Sequence, residues 1–148
     1  LKLNYNKMDA MYFFNKGNEK GKTNDFIGAI KDYSTAIKLT SGIKNMDIPE
    51  KLEDGTIVHT PIIEFSEGMG EIYFNRGMAY IMVQNYKCAI SDFTQIIEFQ
   101  PNDAEAYFKR AIANYCLQND DEVREDIAKA NSIDSKYTVE LLMSIFEG

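Results

Sequence analysis

Side chains able to do covalent or metal chemistry are scarce in this chain of 148 residues. His59 is the only histidine, so neither a histidine-based catalytic triad nor a multi-histidine metal site can be assembled. It lies beside Thr60 and Pro61, where a surface imidazole is the ordinary case. Cys88 and Cys116 are the two cysteines. They lack metal-ligand spacing and make no disulfide framework, so reduced, partly buried thiols are expected. Gly68 and Gly70 are isolated, and no glycine-rich phosphate loop occurs. Asp120, Asp121 and Glu122 share only their charge with a calcium loop, because the glycine and the spaced oxygen ligands are missing. Acids there suit the positive N-terminal end of a helix instead. The expectation is a non-enzyme with no catalytic residues, no cofactor and no metal.

Composition narrows the class further. The chain has 45% hydrophobic and 26% charged residues, ordinary values for one folded domain spanning 1–148. Its net charge of −7 argues against a nucleic-acid surface, where phosphate contacts need Lys and Arg. No apolar run approaches the length that spans a bilayer, so no membrane contact is expected. No secretory signal is visible, and a cytoplasmic location is expected. The chain starts at Leu1 rather than Met, which leaves room for an upstream segment.

What remains is recognition chemistry, and the elements that would position it repeat. Glu71 to Pro101 reads as two amphipathic helices with a turn at Gln84-Asn85. Aligning Gly77 with Ala111 gives a period of 34 residues. With Gly77 at the eighth place of the unit, Tyr73, Tyr80, Ala89, Phe93 and Pro101 hold the fourth, eleventh, twentieth, twenty-fourth and thirty-second places. The third copy places Tyr107, Ala111, Asn114, Val123, Ile127 and Ser135 at these positions in order. The first places Phe13, Gly17, Lys20, Ala29, Tyr33 and Ser41 there. An acid precedes the large twenty-fourth residue each time: Asp32, Asp92, Asp126. Two helices at close range need small residues, and Gly17, Gly77 and Ala111 are expected to face Ala29, Ala89 and Val123. One unit cannot bury its own apolar face, so copies must stack.

This pattern resembles the tetratricopeptide repeat family over Ala10 to Ile43 and Gly70 to Tyr137. The resemblance implies an all-α, right-handed helical-repeat solenoid of three helix-turn-helix units. Repeat 1 covers about 10–43, repeat 2 about 70–103 and repeat 3 about 104–137. A capping helix over about 136–147 would cover the exposed end of the stack. Helix A of the first unit is expected from about Asp9, and Leu1 to Met8 either frays or extends it backwards. Helix B is expected to end at Ser41-Gly42, because Gly tolerates the left-handed conformation there. Asn24 or Asp25, Asn85, and Asn102 or Asp103 are the expected caps. An insertion over about 44–69 separates the first two units. It suggests either a small hairpin about Asp54-Gly55, or an early start of the next helix within Ile62 to Gly70.

In this family the concave groove is lined from helix A. Carried over place by place, the resemblance assigns the groove to Phe14, Asn15 and Asn18 in the first unit. It assigns Phe74, Asn75, Met78 and Met82 in the second, and Phe108, Lys109 and Ile112 in the third. Phe14, Phe74 and Phe108 all occupy the fifth place, a ladder of rings expected to stay outside the core. The resulting expectation is a non-catalytic protein–protein interaction module whose groove binds an apolar peptide or helix of a partner protein. One alternative is a homo-oligomeric scaffold, a homodimer for instance, with the groove filled by the insertion or the last helix. Another is the family's carboxylate-clamp chaperone adaptor, whose positions here read Phe14, Asn18, Asn75, Glu105 and Lys109. Both Asn match that clamp, while Phe14 and Glu105 break it.

Overall fold

The computed structural model describes residues 2–44, 49–51, 57–59 and 64–147, with side chains from 8–40 and 68–147. Its helices come in consecutive pairs. α1 (Lys2–Lys22) pairs with α2 (Phe26–Lys44), α3 (Glu64–Met82) with α4 (Tyr86–Phe99), and α5 (Ala104–Cys116) with α6 (Asp120–Ile133). α2 also packs on α3, and α4 on α5, so the pairs stack as a solenoid. A short helix, α7 (Val139–Phe146), closes the series. α1 extends back to Lys2, and α3 starts at Glu64, ahead of the repeat. α2 continues past Ser41-Gly42 to Lys44, so Gly42 does not stop it. Between α2 and α3 the all-α pattern has one exception. β1 (Pro49–Lys51) pairs antiparallel with β2 (Ile57–His59), Glu50 opposite Val58. The Asp54-Gly55 turn lies outside the described residues.

The three A–B turns are copies of one another. Asn24, Gln84 and Gln118 all sit in the left-handed region, at φ 63°, 59° and 60°. In each, the next N–H reaches back into the preceding helix: Asp25 to Lys20, Asn85 to Tyr80, Asn119 to Asn114, at 2.8–3.0 Å. This closure satisfies a terminal carbonyl that would otherwise be orphaned. Helix starts are capped by side chains. Asp25 accepts from Gly28 N, Asn85 from Cys88 N, Asp103 from Ala106 N and Thr138 from Leu141 N.

The small eighth-place residues allow close packing, and Ala111 and Val123 share one buried cluster. A Cβ on Gly17 would lie 2.6 Å from the Tyr33 ring, and one on Gly77 would lie 2.9 Å from the Phe93 ring. So the nearest neighbour of the eighth place is the ring at the twenty-fourth. In the third unit the twenty-fourth residue is Ile127, smaller than a ring, and the eighth is Ala111; the two share one buried cluster. Ring with Gly, and Ile with Ala, keep the helix spacing filled. Each core also borrows from the next element. Ile72 of α3 joins the first unit's cluster, Ala106 and Ala113 of α5 the second's, and Tyr137 and Leu142 the third's.

Candidate functional site

A charged fastener recurs beside these cores. Arg76 donates to Asp92 through Nε at 2.8 Å and a terminal nitrogen at 2.6 Å, and to Ser34 Oγ of the preceding unit at 3.0 Å. Arg110 repeats it, donating to Asp126 at 2.9 and 2.7 Å and to Thr94 Oγ1 at 3.0 Å. In the first unit, Lys20 takes the role and meets Asp32 at 2.6 Å. The acids noticed in the repeat are thus the receiving half of ion pairs between the two helices of one unit, and the same arginines reach the preceding unit through Ser34 and Thr94. Burial, opposed by the Arg76 bond, holds the Asp92 carboxyl above its ordinary value. Burial works against the charge of Arg76, but the Asp92 contact outweighs it and the guanidinium is held up. The Arg side was legible in the spacing, since Arg76 and Arg110 share the seventh place and Ser34 and Thr94 the twenty-fifth.

The A-helix face carries a trough at the first junction. Between α1, α2 and α3 lies a trough of about 440 Å³. Asn18, Asn75, Met78 and Met82 line it, joined by Gly21, Lys22, Phe26 and Tyr33. Asn18 is the pivot. Its Oδ1 accepts from the Tyr33 hydroxyl at 2.7 Å and from Asn75 Nδ2 at 3.0 Å. Burial first, then the charge of Glu71, push the Tyr33 phenol up, so it remains a donor. With its oxygen taken twice, Asn18 has its amide N–H groups left over, and Asn75 its carbonyl oxygen. One donor and one acceptor therefore stand side by side, flanked by Met78 and the exposed Met82, 56% accessible.

The other predicted groove residues fall elsewhere. Phe14 is 8% accessible and packs with Ala29, Tyr33, Ile37 and Ile72. Phe108 is 3% accessible and packs on Tyr137, ring centroids 4.9 Å apart. Ile112 is buried in the same cluster as Phe108, with Leu142 of α7. The expectation that the ladder of rings is spare to the core is therefore corrected: two of the three belong to it. Phe74 is half-buried, edge-on to Phe93 at 5.9 Å. The reason lies one unit on. Phe14 shares its cluster with Ile72, whereas the residue at that third place beside Phe74 is only Ala106. The Phe74 side chain also borders a shallow hollow of about 180 Å³ with Glu71, Asp103 and Glu105. Asn15 is exposed and Lys109 half-buried, neither lining the trough. The insertion's side chains up to 67 lie outside the described residues, and Met69 at its end is buried. Among the described residues, no helix is long and apolar enough to cross a membrane.

Residues 70–103 match the model of a tetratricopeptide repeat. No curated protein matches the chain in sequence. Several solved structures match in fold. The C-terminal TPR-containing domain of a Plasmodium falciparum FK506-binding protein is 19% identical, with a TM-score of 0.75, covering 96% of this chain and 91% of that one. The first TPR domain of Spaghetti (RPAP3), bound to the HSP90 peptide SRMEEVD, is 18% identical, with a TM-score of 0.66, covering 95% and 93%. The TPR2B domain of yeast Sti1, in complex with an Hsp70 peptide, is 22% identical, with a TM-score of 0.62, covering 95% and 90%.

Proposed function

We propose that this chain, a tetratricopeptide-repeat protein, holds a short extended segment of a partner polypeptide in the trough between α1, α2 and α3. The observation that carries the reading is the Asn18–Asn75 pair. A peptide group offers one carbonyl acceptor and one N–H donor, and the remaining N–H groups of Asn18 and the carbonyl oxygen of Asn75 complement it. Met78, Met82 and Phe26 supply an adaptable apolar wall for the segment's side chains. Burying one apolar side chain there contributes about 1.5–3 kcal/mol towards binding, part of which offsets ordering costs.

The matched domains of RPAP3 and Sti1 hold chaperone peptides, which supports peptide capture as the general mode. The trough favours an internal apolar segment over an acidic C-terminus. Phe14 is buried where the clamp has Lys, and Glu71, Asp103 and Glu105 crowd the neighbouring hollow. Peptides selected from a displayed random library, then mapped by amide chemical shifts, test this. Expected are peptides whose resonance changes centre on Asn18, Asn75, Met78 and Met82, and whose affinity falls about tenfold or more in Met78→Asp. Peptides that map elsewhere, or bind Met78→Asp unchanged, contradict it. Tight binding of SRMEEVD that is lost on amidating its C-terminus would favour the clamp instead.

A further inference from the structure

The junction of α4, α5 and α6 copies the junction of α2, α3 and α4, with one part removed. In the earlier copy Tyr80 stands over Arg76, ring centroid to guanidinium carbon 5.7 Å, and its phenol is bordered by Cys88, Asp92 and Ser34. In the later copy the same places hold Arg110, Glu122, Asp126 and Thr94, so a carboxylate stands where Cys88 had a thiol. The fastener has the same lengths to within about 0.1 Å. The second ring is also conserved between copies: Tyr73 stands 5.5 Å from Arg76, and Tyr107 5.6 Å from Arg110. At the place of Tyr80, however, stands Asn114.

The consequence is a cleft of about 470 Å³ lined by Ile90, Arg110, Asn114, Leu117 and Glu122, among others. Asn114 is 4% accessible. Its Oδ1 accepts from Asn119 Nδ2 at 3.0 Å, which turns its own Nδ2 away from that bond, and Nδ2 makes no hydrogen bond to the described residues. We propose that this cleft receives an aromatic side chain of a partner polypeptide, tyrosine in preference to phenylalanine. The incoming ring takes the place Tyr80 fills in the neighbouring copy. One face lies on the Arg110 guanidinium, already held flat by Asp126 and Thr94, as a cation–π contact. Ile90 and Leu117 border it, and the hydroxyl reaches towards Thr94 and Asp126, as the Tyr80 hydroxyl reaches Ser34 and Asp92 in the earlier copy. The cleft shares no lining residue with the trough described above, so each reading stands or falls without the other.

The test uses p-cresol as the ring alone, 4-methylcyclohexanol as a control of the same outline without π electrons, and the peptides Ac-Gly-Tyr-Gly-NH2 and Ac-Gly-Ala-Gly-NH2. Each is titrated into the whole chain and followed by amide chemical shifts. Saturable changes at Ile90, Arg110, Asn114 and Leu117 are expected for p-cresol and the tyrosine peptide. The cyclohexanol should bind about fivefold weaker, and the alanine peptide should give no response. Asn114→Tyr should fill the cleft from within, raise Tm and abolish the response; Asn114→Phe serves if that chain does not fold. Failure of p-cresol to saturate, or equal binding of 4-methylcyclohexanol, overturns the site. An undiminished response in the filled variant overturns it too. A response to p-cresol but none to the tyrosine peptide overturns the polypeptide as the source of the ring.

Discussion

The two junctions of the solenoid use one fastener and differ in which side they leave open. At the first, Tyr80 fills the cleft over Arg76, while the A-helix face opens as the Asn18–Asn75 trough. At the second, Asn114 stands at the place of Tyr80 and the cleft over Arg110 stands open, while beyond it the chain's own Tyr137 and Leu142 join Phe108 and Ile112 in the core of the third unit. Both differences trace to single places in the repeat. They teach that a residue's role in a stacked unit is decided by its counterpart in the adjoining unit as much as by its own type.

The largest expected effects come from breaking what the junctions share. Asp92→Ala strands the Arg76 guanidinium, whose side chain is only 17% accessible, and should cost about 3–5 kcal/mol in urea denaturation. Asp126→Ala should cost nearly as much, because Arg110 is nearly as enclosed. A loss below about 1 kcal/mol at both would make the fastener ornamental.

Next come the rings. Phe108→Ala should cost about 3–5 kcal/mol, because it empties a core site. Phe74→Ala should cost clearly less, since that ring is half-buried. Equal losses would break the contrast between the junctions. Gly77→Ala pushes a methyl against Phe93 and should cost about 1–3 kcal/mol. Adding Phe93→Ile, which copies the third unit's Ala111–Ile127 pairing, should recover part of that loss. A double-mutant cycle with no coupling would contradict the pairing. The smallest effect is a gain. Gln118→Gly relieves a left-handed side chain at φ 60° and should stabilise by about 0.5–1 kcal/mol, read as a rise in Tm.

Much of the fold was legible because the period of 34 residues carries its own packing logic. Gly17, Gly77 and Ala111 mark where helices approach, and polar residues at Asp25, Asn85 and Asp103 mark where they begin, whereas the last helix, expected from about 136, starts at Val139 behind the Thr138 cap. Less legible were features decided between copies. Nothing in the type of Phe14 says that Ile72 will cover it, or that Ala106 will leave Phe74 half open. The Gln84 and Gln118 turns were silent because glutamine carries no left-handed signal, and only the closing hydrogen bonds impose it. Gly42 misled for the converse reason: glycine permits a helix stop and does not compel one. Of the candidate site, Asn18, Asn75, Met78 and Met82 line the trough, whereas Phe14, Phe108 and Ile112 proved structural.

The most direct measurement is an amide chemical-shift map of the chain with a peptide selected from a displayed library, repeated on Asn18→Ala, Asn75→Ala. The account predicts changes concentrated along α1 and α3 at the trough, and an affinity reduced about tenfold or more in the double variant with its fold intact. Changes spread over α5 and α7 instead, with affinity untouched by the loss of both amides, would contradict it.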